Sequence, residues 1–267
     1  MRTPRNPPRP HRGSRTTRTG STAGWPGRRG RPNAPAAGPC SPPTRQRPGA
    51  PTASTGATCR CGWRAGPWRP GSSWARRAGA TPFMTLLAAL AVVLARRTGR
   101  TSAVIGAPAA GRFAAPLEGA VGQFTTVVPI RIDLAGGPGF PELLHRTRTA
   151  VAEALGHQRL PVDVLFGDGT PPPYEVLFAL HNYPAVPLDL PGVEVGQVPG
   201  PPARHLELYS PDPAATLACV GLVERDGEIG GTAEYNRHAI TPEGVRGLLT
   251  GIEEVLEQAV AAPGRAL

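Results

Sequence analysis

The sequence predicts an α/β domain, helices packed on a mixed β-sheet, preceded by an Arg/Pro/Gly-rich tail that has no core of its own. Three observations predict it. Composition breaks sharply near residue 80, because residues 1–80 contain no Leu, Ile, Val, Phe or Tyr. Without such side chains a segment cannot offset the conformational entropy of folding. After the break, apolar residues recur with helical spacing in three long runs and as β-branched, alternating runs between them. Those runs are separated by Gly, Pro and Asp-Gly breakers of the kind that end elements.

The tail also holds 16 of the 29 basic residues and none of the 19 acidic ones, the first acid being Glu118. The formal net charge of +10 therefore belongs to the tail, and residues 81–267, with 13 Arg against 19 acids, are mildly acidic. The chain has no Lys, a bias that fits a GC-rich coding sequence. Stretches such as MRTPRNPPRPHRGSRTTRTG predict a disordered segment, or one translated out of frame. An acid-free Arg-rich arm could instead bind nucleic acid through phosphate contacts. Cys59 and Cys61 are too close, and too few, for a structural zinc site. The basic N-terminus is followed by no apolar stretch, and the longest apolar run, near Leu86–Ala95, is too short to span a bilayer. With Cys219 alone in the foldable part, a reducing cytoplasm is the expected compartment and no membrane association is expected.

Thr81-Pro82 is an N-cap and first-turn signal, and FMTLLAALAVVLARR behind it is apolar on nearly every face. This predicts a buried helix over 81–97, ended by Thr98-Gly99. SAVIGAPAA then reads as a short buried strand, and GQFTTVVPIRIDL (122–134) as a loop leading into a strand that alternates from Val127. After Gly136-Gly137-Pro138, the spacing of Phe140, Leu143, Leu144, Thr147, Val151, Ala154 and Leu155 predicts a helix over 140–156. YEVLFALHN (174–182), LELYS, ATLACVGLVE and EIGGTAEYN read as strands, the last two joined through Arg225-Asp226-Gly227, a hairpin signal. Thr241-Pro242-Glu243 caps a final amphipathic helix whose apolar face is Val245, Leu248, Leu249, Ile252, Val255, Leu256 and Ala259.

Catalytic motifs that stand on their own are missing. Ser102 and Ser210 are the only serines after residue 80, and neither lies in a nucleophile elbow. His145, His157, His181, His205 and His238 are isolated from one another, so each reads first as a structural or solvated residue.

In order and spacing, TPFMTLLAALAVVLARRTGR, VIGAPAAGR, VGQFTTVVPIRIDL, the GF-ELL helix, HQRLPVDVLF, YEVLFALHN and GTAEYN resemble the C-terminal part of a nonribosomal peptide synthetase condensation domain. The resemblance divides the chain into a tail, 1–75, and a partial condensation domain, 76–267. It implies the C-terminal lobe of a chloramphenicol acetyltransferase-like fold. Two family motifs are carried over. One spans Val121–Arg131 and brings Gly122, Phe124, Thr126, Pro129 and Arg131; the other brings His157, Gln158 and Pro161. Both fall at loop-to-strand or helix-end positions, where backbone geometry is the usual demand.

Departures from the family pattern are Thr126-Val127 in place of Asn-Thr, Arg159 in place of Asp, and Pro171-Pro172-Pro173 where an Arg-containing motif is usual. Condensing, epimerising and cyclising subtypes are therefore not separated. The active-site motif, two histidines and then Asp-Gly after three residues, does not occur: the residue four before Asp168 is Val164, and four before Asp226 is Leu222. The resemblance implies amide-bond formation between carrier-bound thioesters, with no cofactor bound directly and phosphopantetheine presented by a partner carrier protein. It also implies a missing N-terminal lobe as partner and no catalytic residue in this chain, which is expected to be inactive alone. Two alternatives stay open from the sequence, an Arg-rich nucleic-acid-binding protein whose binding would fall steeply with salt, and a half-lobe acyltransferase that needs a separate N-terminal chain.

Overall fold

The computed structural model describes residues 78–112, 114–160, 164, 172–182, 192, 216–225 and 228–267, together with the backbone of 58–64. The first helix, α1 (Pro82–Thr98), starts where Thr81 Oγ accepts a hydrogen bond from the Met84 amide at 3.2 Å. Gly99, in the left-handed conformation at φ +68°, ends it by donating its N–H to the Ala95 carbonyl at 2.8 Å. Every residue from Thr85 to Ala95 is buried, as a helix apolar on all sides requires. α1 is thus the central helix, in contact with the sheet and with both other long helices.

Among the described residues the sheet contains six strands, of which β1 (Thr58–Arg64) comes first in the chain. β2 (Ser102–Ala109) and β3 (Thr126–Asp133) form an antiparallel pair with Ser102 opposite Asp133 and Ala109 opposite Thr126. A one-turn helix, α2 (Ala115–Glu118), sits in the connection between them. α3 (Phe140–Gly156) matches its predicted bounds and packs back on β3. β4 (Val176–His181) is parallel to both β2 and β5 (Ala218–Arg225). β5 and β6 (Glu228–Asn236) make the expected hairpin, which closes at Arg225 opposite Glu228. The predicted strand LELYS lies outside the described residues.

In the last helix, α4 (Pro242–Ala261), Thr241 Oγ accepts from the Gly244 amide at 3.0 Å. A hydrogen bond from its own backbone at this helix start holds the Glu243 carboxyl below the usual carboxylate range, with Thr241 and Arg246 adding to the effect. The end of α1 crosses α4 at its small residues: Arg97 Nη1 donates to the Gly244 carbonyl at 2.9 Å, and Arg96 Nη2 donates to Gln258 at 3.0 Å. Burial lowers the pKa of Arg97, and Glu254 partly offsets that.

The sheet order is β1-β6-β5-β4-β2-β3. Its first member is an element that the sequence does not announce. No strand is expected within residues 1–75, yet β1 is an antiparallel edge strand on β6, with Thr58 opposite Asn236 and Arg64 opposite Gly230. The composition argument concerns side-chain burial. An edge strand can be held by main-chain hydrogen bonds, which every non-proline residue offers.

One core holds the layers together. Leu86, Leu87 and Leu90 of α1, Leu143 and Leu144 of α3, and Leu248, Leu249 and Ile252 of α4 pack against Ile105, Ile130, Ile132, Val176, Phe178, Val220 and Leu222. Each such side chain contributes about 1.5–3 kcal/mol by leaving water. Phe83 stacks on Phe178 with centroids 5.6 Å apart. Because α1, α3 and α4 share this single cluster, all three long helices cover the same face of the sheet.

Candidate functional site

The first carried-over motif begins in the loop between β2 and β3, and its shape is set from β2. Gly111 has φ +68°, and a Cβ there would overlap the Phe124 carbonyl. The chain turns at Gly111 so tightly that the returning strand lies against its α-carbon. The next residue, Arg112, gathers the loop around its guanidinium. Its Nη1 donates to the Leu117 carbonyl and to the Ala120 carbonyl at 2.7 Å, its Nη2 donates to Gly122 at 3.4 Å, and its centre lies 4.7 Å over the Phe124 ring. A planar fork with five donors suits several carbonyls at once, and the ring face adds a cation–π contact.

Gly122 therefore contributes its carbonyl, and Phe124 its ring, to a loop organised by Arg112. Thr126 opens β3 opposite Ala109. Pro129 lies opposite Gly106, half-buried, and Arg131 lies opposite Val104 with an exposed side chain. Along β3 the residues alternate: Val128, Ile130 and Ile132 are buried under the helices, and Val127, Pro129, Arg131 and Asp133 point to the other face.

The second motif sits at the C-terminal end of α3. His157 is the cap, its amide donating to Ala154 and Leu155 while its carbonyl accepts from Leu160 at 3.0 Å, and the Gln158 amide donates to Leu155 at 3.2 Å. The imidazole is exposed and Gln158 half-buried. What these residues do in the structure is end a helix. Pro161 lies outside the described residues.

Topology brings the two motifs to one end of the sheet. α3 rises about 25 Å at 1.5 Å per residue, and β3 about 26 Å, so a helix returning along β3 ends level with the strand's first residues. The C-terminal ends of the parallel strands β2, β4 and β5 lie there too. A shallow cleft lined by Leu94, Thr98, Arg100, Ser102, Pro173 and Glu175 is at the opposite end.

Several residues that sequence reasoning did not single out as site residues are brought together on the face that, among the described residues, carries no long helix. Tyr174, Leu177 and Cys219 form a second buried cluster, with Val104 and Val127 packed on it. The Tyr174 ring and Leu177 lie over Gly106, filling the space a Cβ would take. Glu234, 5% exposed, pairs across the strands with Cys219. Burial, and then the Glu234 charge, push the Cys219 thiol up to about 12. It stays protonated at neutral pH and is excluded as a nucleophile. The signal for Arg112 was available, as a Gly-Arg pair directly after a strand. The face assignment of Leu177 and Cys219 was not.

A family model described as "Condensation domain" matches residues 72–267. The chain is 31% identical over 195 residues to a linear gramicidin synthase protein of Brevibacillus parabrevis, a match covering 70% of this chain and 2% of that protein. It is 30% identical over 233 residues to the isonitrile lipopeptide synthase of Mycobacterium tuberculosis, covering 82% of this chain and 9% of that one. That second match exceeds what residues 72–267 make up, so it reaches N-terminal of residue 72. Among solved structures, the X-domain of teicoplanin biosynthesis, in complex with OxyB, superposes with a TM-score of 0.65 at 26% identity, over 83% of this chain and 49% of that one. The chain thus spans a few per cent of these synthases and about half of the X-domain chain. The superposition agrees with the expected fold, helices packed on a mixed sheet of the chloramphenicol acetyltransferase-like kind.

Proposed function

This chain belongs to the condensation domain family of nonribosomal peptide synthetases, and we propose that it is the C-terminal lobe of such a domain and works only with an N-terminal lobe that supplies the histidine motif. The observation that carries this reading is the one-sided sheet. Among the described residues, α1, α3 and α4 all cover one face, while the other holds the Tyr174, Leu177 and Cys219 cluster and the outward residues Pro129 and Arg131 of the first motif. A second lobe packed toward that face and the Arg112 loop would enclose a site between the two.

The reaction implied by the family is aminolysis of a thioester. The amine nitrogen of one carrier-bound substrate attacks the carbonyl carbon of the other, a C–N bond forms, and the C–S bond breaks. The thiol leaves on the phosphopantetheine arm of its carrier protein, and the amine's proton passes to a general base. Cys219, buried and with its thiol pushed up, is not suited to be that base, and the reading gives that role to the histidine motif of the N-terminal lobe. The chain's share is to shape a wall of the site, with Gly122 and Phe124 held by Arg112 and the edge strand β3 presenting Thr126, Pro129 and Arg131.

The test is amide formation between two loaded carrier proteins, read by mass spectrometry. The chain alone yields none above the uncatalysed rate. Fused to the N-terminal lobe of a related domain that carries the histidine motif, it yields product, and changing that lobe's second histidine to Ala abolishes it. Equal product from the chain alone would overturn the reading.

A further inference from the structure

We propose that His181, the last residue of β4, is a hydrogen-bond donor to the reacting thioester carbonyl; this rests on the reading of the chain as one lobe of a condensation domain whose base lies on the other lobe.

Among the described histidines, His181 is the one held within the fold. His145, His157 and His238 are exposed, on α3, at its cap and after β6, whereas His181 is half-buried at the end of a sheet strand. Alternation along β4 decides which face it takes. Val176 and Phe178 belong to the main core and Leu180 packs on it, while Leu177 belongs to the second cluster. Ala179 and His181 therefore follow Leu177 on the face that, among the described residues, carries no long helix.

Register fixes its level. β2 and β4 run parallel with Ile105 beside Val176 and Gly106 beside Leu177, so that, in step, Ala110 is level with His181. The next residue is Gly111, against which the Phe124 carbonyl is pressed, and adjacent strands lie about 4.8 Å apart. The imidazole thus stands beside the root of the Arg112 loop, at the C-terminal ends of β2, β4 and β5. Open α/β sheets hold their ligands outside that end of their parallel strands.

Other titratable groups described on this face stand at other levels. Cys219 and Glu234 share the row of Leu177, about 13 Å back along the strand, and Arg131 and Asp133 lie nearer the opposite end. Arg112, close by, is engaged with the carbonyls of its own loop. As the amine adds, the thioester oxygen takes up the electron pair of the C=O bond. A donor aimed at that oxygen lowers the barrier until the C–S bond breaks and the carbonyl re-forms. A neutral imidazole donates through one N–H and gives up no proton in doing so. With the amine's proton taken by the N-terminal lobe, the wall across the site meets the other side of the carbonyl, and His181 is on that wall.

The fusion to a histidine-bearing N-terminal lobe, assayed between two loaded carrier proteins, tests this through kinetics. His181→Ala should lower kcat and kcat/KM together by about 100-fold, the pattern of a contact made only in the transition state. His181→Gln, which keeps a neutral donor, should stay within about tenfold of the unaltered fusion. The urea midpoint of the full chain should be the same in all three. If His181→Ala fails to fold, His181→Met, of similar length and without a donor, takes its place. Full activity in the donor-free variant, a raised KM at unchanged kcat, an equal loss in His181→Gln, or a loss that follows the urea midpoint would overturn the proposal alone. A fusion inactive with His181 intact would overturn the lobe reading and the proposal with it.

Discussion

Gly111 and Gly99 form a natural experiment, because both have φ +68° and only one of them is crowded. An Ala at Gly99 meets nothing within 4 Å, so Gly99→Ala should register only the left-handed backbone cost of about 1 kcal/mol. An Ala at Gly111 has the same backbone cost and, in addition, a methyl group overlapping the Phe124 carbonyl. To relieve it, the start of β3 must shift away from β2, carrying the Phe124 ring from under Arg112 and the Gly122 carbonyl from its Nη2, 3.4 Å away. Losing one cation–π contact and one or two charge-assisted hydrogen bonds at a largely exposed site adds about 1–2 kcal/mol. The expected totals are about 1 kcal/mol for Gly99→Ala and about 2–3 kcal/mol for Gly111→Ala. Urea unfolding followed by circular dichroism measures both, with an unchanged denaturant slope confirming that the same surface unfolds. If Gly111→Ala is no more destabilising than Gly99→Ala, the loop is not pressed against Gly111 and the account of how Arg112 holds the first motif fails.

Other consequences can be checked by the same unfolding measurements. Thr147, fully buried on α3, has a hydroxyl without a hydrogen-bond partner, so Thr147→Val should stabilise by about 1 kcal/mol in urea unfolding, and a loss of that size would show an unrecognised partner. Cys219 should resist thiol reagents at pH 8 until the protein unfolds. Its folded pKa of about 12 lies above the ordinary thiol value of 9.0, so its contribution to stability is intact below pH 9 and is lost from there toward pH 12. The slope is at most about 1.4 kcal/mol per pH unit, and Cys219→Ala should flatten it. Thr81→Ala and Thr241→Ala each remove an N-cap and should cost about 1 kcal/mol, measured as shifts in urea midpoint; a null result at either site would mean the cap is replaced by water.

How much of this was legible in the sequence depends on whether an element has one buried face or two. α3 and α4 are amphipathic, and their bounds follow from Gly139 and Thr241 in front and from the last apolar residue behind. β6 and the hairpin were legible from Asp226-Gly227 between two strand-like runs. β4 and β5 are different. Val176, Leu177 and Phe178, like Ala218, Cys219 and Val220, are buried on both faces, so alternation cannot assign a face to Leu177 or Cys219. That is why the second cluster is not readable from sequence, while the residues of both family motifs were placed at a strand start and a helix end. β1 was illegible for another reason: nothing in TCRCGWR announces a strand, since its partner is a backbone.

The two edges of the sheet are managed in opposite ways, and the difference bears on the first motif. Pro129 has no N–H to give and is tolerated in β3 because, among the described residues, that strand pairs on one side only, with β2. Among the described residues the sheet stops at β3, where Pro129-Ile130-Arg131 places a residue without an N–H on the open side. β6, paired on both sides with β1 and β5, carries Gly230, Gly231 and Thr232 and no proline, as a strand that gives hydrogen bonds on both sides requires. A proline placed in β6, Thr232→Pro, should then disturb β1 pairing or the hairpin with β5, whereas Pro129→Ala should leave the sheet intact and merely unblock β3. On the proposed reading, a partner lobe would approach the Arg112 loop beside β3, a strand that Pro129 keeps from pairing at that position on its open side.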